Sequence, residues 1–86
     1  MTPLDGLREE VADVDCEILA LVNRRLELVR EIRALKETER VPFLDPGQEE
    51  RLLARLRERN GGPLSTKGVD RLFREILDLV KHELGR

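Results

Sequence analysis

Arg25 and Lys36 stand eleven residues apart in a stretch that reads as helix, LALVNRRLELVREIRALK, residues 19–36. Eleven residues make three helical turns with about 20° to spare, so the two cations point the same way, roughly 16 Å apart along the axis. Long side chains leaning toward each other from those positions leave a gap suited to a small dianion. The opposite sign follows in the next segment, DPGQEERLLARL. There Glu49 precedes Leu53 by four and Leu56 by seven, on the apolar stripe, with Asp45 one turn earlier and Gln48 beside it. An inward carboxylate requires a partner, and either a ligand hydroxyl or a neighbouring cation serves.

Each of these residues also has a plainer role open to it. Stepped by four and three, the first segment visits Leu7, Val11, Val14, Ile18, Leu21, Arg25, Leu28, Ile32 and Leu35, and Arg25 is the one charged residue on that seam. A lone polar residue in a coiled-coil seam can specify register or oligomeric state instead of binding anything. Asp45 and Gln48 fit a helix cap and its capping-box partner. Arg8 lies about 25 Å from Arg25 on the same helix, too far to share a small site within one chain. It is either a solvated first-turn arginine or a group that an antiparallel partner chain delivers. The other arginines, including Arg24, Arg30, Arg33 and Arg57, have acids nearby at helical spacing and read as solvated faces.

The chemistry within reach is narrow. His82 is the only histidine and Cys16 the only cysteine, which removes histidine relays, zinc-enzyme spacings and an internal disulfide. Charged residues make up 40% of the chain, but the net charge is only -2 and there are two Phe with no Trp or Tyr, so nucleic-acid binding is not expected. The N-terminus lacks a signal-peptide layout and no apolar run approaches spanning length, which predicts a cytoplasmic protein without a membrane segment.

Three helices must position these groups, in one domain of 86 residues. Thr2 can cap the first, Pro3 suits its first position, Asp5 favours its positive end, and no breaker appears before Pro42. Such a helix is roughly 55 Å long, far beyond the width of a compact domain with an expected radius of gyration of about 12 Å. Its seven-residue seam calls for a packed helix from a second copy. Asp45 and Pro46 open a short second helix, Asn60-Gly61-Gly62-Pro63 closes it, and Leu64-Ser65-Thr66 begins a third with the stripe Val69, Leu72, Phe73, Ile76, Leu77, Val80 and Leu84.

Taken together, LREEVADVDCEILALVNRRLELVREIRALKE, then FLDPGQEERLLARL, then VDRLFREIL resemble the all-helical class of chorismate mutase over essentially the whole chain. The resemblance implies an all-α fold of three helices, long, short and medium, intertwined as a homodimer with shared active sites. It implies conversion of chorismate to prephenate in phenylalanine and tyrosine biosynthesis, without a cofactor. By the same resemblance Arg25 and Lys36 would bind the substrate carboxylates, Lys36 would also reach the ether oxygen, Arg8 would come from the partner, and Asp45 and Glu49 would hold the ring hydroxyl. Three positions depart from the family pattern. Gln48 stands where an arginine is common, and Val80 and Leu84 stand where a small polar residue and a glutamine or glutamate are usual; Glu83 is the adjacent group that would substitute if the helix end were irregular. Such domains are often joined to another enzyme of the shikimate pathway. The alternatives are a regulatory or dimerisation domain of the deoxyarabinoheptulosonate-phosphate synthase that opens the pathway, and an isochorismate pyruvate lyase of the same fold.

Overall fold

The computed structural model describes residues 2–39 and 46–85. They form three helices in the order α1 (Pro3–Glu39), α2 (Pro46–Arg59) and α3 (Thr66–Leu84), with no strand among the described residues. The N-terminus of α1 is a reciprocal cap: the Asp5 amide donates to Thr2 Oγ1 and the Thr2 amide to the Asp5 carboxylate, both at 3.2 Å. That satisfies amides which no helix can pair internally. α3 begins with a single side-chain cap, Ser65 Oγ accepting from the Gly68 amide at 3.0 Å.

Between α2 and α3 the chain reverses through Gly62, whose φ of 79° is open to glycine at little cost, and a cis Gly62-Pro63 bond follows. Asn60 ties this turn together. Its Oδ1 accepts from the Gly62 amide at 3.0 Å and its Nδ2 donates to the Leu64 carbonyl at 2.7 Å.

α3 is the central element in contact terms, since it packs against both α1 and α2. Among the described residues the core is Leu53 from α2 with Val69 and Val80 from α3. Arg57 and Asp70 close that joint with a two-pronged ion pair, Nε to Oδ1 at 2.6 Å and Nη2 to Oδ2 at 3.1 Å. α1 contributes no buried residue. The result is elongated, 57 × 24 × 18 Å with a radius of gyration of 16.4 Å, well above the value of about 12 Å for a compact chain of this length. No helix among the described residues is long and apolar enough to cross a membrane.

Candidate active site

The face of α1 toward α3 can be read from the residues that lose exposure. They are Val22, Arg25, Leu26, Val29, Arg33 and Lys36, all half-buried and spaced by three and four so that they line one side of the helix. The seam residues Leu28, Ile32 and Leu35 lie on an adjoining side and stay 43%, 49% and 57% exposed. Arg25 therefore occupies the border between a stripe covered by the chain's own α3 and a stripe that no described residue covers. This modifies its expected place in the middle of the seam. A seven-residue repeat drifts by about 20° per heptad around a straight helix, so Ile32, one heptad after Arg25, lies about 20° further toward the exposed side.

Arg25 is also electrostatically exposed to its setting. Its Nη1 is buried and has no hydrogen-bond partner, the one such side-chain nitrogen or oxygen among the described residues. Burial pushes the guanidinium below its usual proton affinity, yet an arginine stays charged at any ordinary pH. A buried, charged donor left open is costly, and an anion seated against it removes the cost. Lys36, on the same half-buried stripe, supplies a second positive charge.

Glu49 is half-buried as expected of an inward carboxylate, and its partner is Lys81 of α3, Nζ to Oε1 at 3.0 Å. Both side chains keep over a third of their surface in solvent, so the pair is worth at most about 1 kcal/mol. Glu49 can exchange it for a ligand hydroxyl at little cost. Gln48 is exposed and its Oε1 accepts from Arg51 at 2.9 Å. Asp45 lies outside the described residues. Arg8 is exposed in the uncovered part of α1 and is not brought to Arg25 within the chain. α3 is regular helix through Leu84, leaving Glu83 exposed and Leu84 half-buried.

Residues 7–83 match the family model for chorismate mutase type II. The chain belongs to that family. It is similar to the chorismate mutase of Thermus thermophilus, at 38% identity and a TM-score of 0.87, over 92% of this chain and 99% of that one. A second structure of the Thermus chorismate mutase, its form II, gives a TM-score of 0.86. Among sequences, a bifunctional chorismate mutase/prephenate dehydratase of Neisseria gonorrhoeae is 39% identical over 70 residues, which cover 81% of this chain and 19% of the relative. The corresponding bifunctional protein of Aquifex aeolicus is 32% identical over 81 residues, covering 90% and 22%. The chain thus spans about a fifth of the length of these two-activity chorismate mutases.

Two arginines read as solvated have other roles in this chorismate mutase fold. Arg57 is bound to Asp70 of α3, and Arg33 donates from Nη1 to the carbonyls of Leu84 and Gly85, each at 2.6 Å. Neither partner has a signature near the arginine in sequence. Asp70 is thirteen residues away, and a backbone carbonyl leaves no mark on residue type at all.

Proposed function

We propose that this chain catalyses the rearrangement of chorismate to prephenate, acting as a homodimer in the cytoplasm. The observation that carries the reading is the buried, unpartnered Nη1 of Arg25, on the α1 face that also bears Lys36, in a chain of the chorismate mutase type II family.

The reaction is intramolecular. One C–O bond breaks as one C–C bond forms within a single molecule, so no nucleophile, metal or redox partner is consumed. Catalysis consists of holding the dianion in its compact conformer and stabilising the ether oxygen as it gains negative charge. Arg25 binds one carboxylate, and Lys36 binds a carboxylate and donates to the ether oxygen. Arg8 reaches the site from the second copy, which explains its exposed position far from Arg25. Asp45 and Glu49 hold the ring hydroxyl, with Glu49 released from Lys81. Gln48 offers a carboxylate an amide where a guanidinium would give two charge-assisted bonds. Leu84 cannot donate to the ether oxygen, and Glu83 takes that place only if the last turn rearranges.

Purified protein should deplete the absorbance of chorismate and form prephenate, and should release no pyruvate from isochorismate. A folded dimer that leaves chorismate untouched would refute the assignment and leave a ligand-sensing or dimerisation domain. Mixing tests the shared site. Arg8→Ala and Arg25→Ala subunits, each nearly inactive alone, should regain activity as heterodimers carrying one intact site of two. Verified heterodimers without recovered turnover would mean that Arg8 does not act across the interface.

A further inference from the structure

We infer that Arg33 is a positioning residue for the mutase site, holding the C-terminal end of α3 against the α1 face that bears Arg25 and Lys36; the inference rests on the mutase reading above. Arg33 lies on that half-buried face, eight residues after Arg25 and three before Lys36. One guanidinium nitrogen donates to two successive carbonyls, Leu84 and Gly85. Carbonyls in the last turn have no partner within their helix and stand at the negative end of its dipole. A cation donating to both is a charge-assisted clamp. Gly85 makes the double contact feasible: with φ 72° and ψ 162° it occupies backbone space that is essentially reserved for glycine.

The clamp matters for catalysis because of what this end of α3 brings. Val80 is buried and Leu84 half-buried one turn later, so these two positions supply apolar wall and no side-chain hydrogen bond. A wall contributes by excluding water and fixing the substrate conformer, and it does so only while it stays in place. Reactions that depend on orientation can lose up to about a hundredfold from a displacement of about 1 Å. A freed but still folded helix end should cost part of that.

The test measures kcat and KM for chorismate in the wild type, Arg33→Ala, Arg33→Lys and Gly85→Ala, alongside amide hydrogen exchange in the last turn of α3. Arg33→Ala should speed that exchange and lower kcat about tenfold, with KM changing less than about threefold. Arg33→Lys, which can still donate to carbonyls, should recover most of the loss. Gly85→Ala should shift both readouts in the same direction by less. Faster exchange with kcat unchanged in Arg33→Ala would overturn the inference, as would equal losses in Arg33→Ala and Arg33→Lys. If Arg33→Ala does not fold, Gly85→Ala decides on the same two measurements, and unchanged kcat with faster exchange again overturns it. A wild type inactive toward chorismate would overturn the mutase reading and the inference with it, whereas an active wild type matched by Arg33→Ala overturns the inference alone.

Discussion

The two halves of α1 carry the same apolar repeat and meet different fates. From Leu7 to Leu21 every residue is exposed, with Leu7, Val11, Ile18 and Leu21 at 60%, 60%, 53% and 65%. From Val22 to Lys36 a stripe is half-buried under α3 and pinned at its far end by Arg33. Periodicity specifies that a face must be covered but not by what. In the second half the chain supplies the cover from its own sequence. Among the described residues the first half has no such cover, since α2 packs on α3 and not on α1. An uncovered helix of this length gains little from propensity alone, because most helical stability in proteins comes from packing of the apolar face. A second copy, laid along the first half, is the cover we propose, and it explains why the proposed site draws Arg8 from that half and Arg25 from the other.

The largest effect should come from breaking the first half. Ile18→Glu places a carboxylate in the uncovered seam, once from each copy, where neither charge has a partner. Burying an unpaired charge is costly enough that the dimer should separate at low micromolar concentration, with mass in sedimentation falling to that of one chain. Turnover should be abolished, because a lone chain lacks the partner's Arg8. Retained dimer mass and turnover in this variant would show that the seam is not the interface.

Arg25→Leu tests the border between the halves and should leave assembly alone. Removing an unpartnered, partly buried guanidinium and adding apolar surface should leave the dimer equally or more stable. Turnover should still fall about a hundredfold or more, the scale of deleting one preorganised electrostatic contact. If Arg25 instead sets register, the variant should change oligomeric state, with any loss of activity following that change. A stable Arg25→Leu dimer with near-normal turnover would exclude it from the site.

What could be read from the sequence follows the same division. Helix starts and stops were legible because their chemistry is local: Thr2 with Asp5, Ser65 with Gly68, and Asn60 with Gly62 all act within three residues. The cations on α1 were legible because charges on a regular helix can be placed by rotation. The border position of Arg25 was not, since a small drift per heptad accumulates over four heptads. Pairs made between elements were also hidden. Glu49 could be read as inward, but nothing near it in sequence points to Lys81. Arg33, with Glu37 four residues on, and Arg57, beside Glu58, look solvated, whereas their partners come from α3.

The smallest expected effect concerns the joint that the chain makes with itself, and it separates that joint from the proposed interface by pH. The hydrogen bond from Arg57 holds the Asp70 carboxyl below the usual carboxylate range, with the charge of Arg57 acting in the same direction. A folded value below the unfolded one means that the pair stabilises the fold fully above the unfolded value, near 3.9. That contribution is lost as pH falls through the depressed folded value. Arg57 stays charged throughout, so the loss belongs to Asp70. The seam of α1 has no carboxylate on it, and its contribution should not follow this titration. Asp70→Asn keeps the shape and removes the charge. The melting temperature of the wild type should therefore exceed that of Asp70→Asn near neutral pH by a small margin, since the two side chains are about one third exposed. The margin should shrink as pH drops below about 4. A difference that stays flat through the acid range would mean that the Arg57–Asp70 pair does not secure α2 to α3.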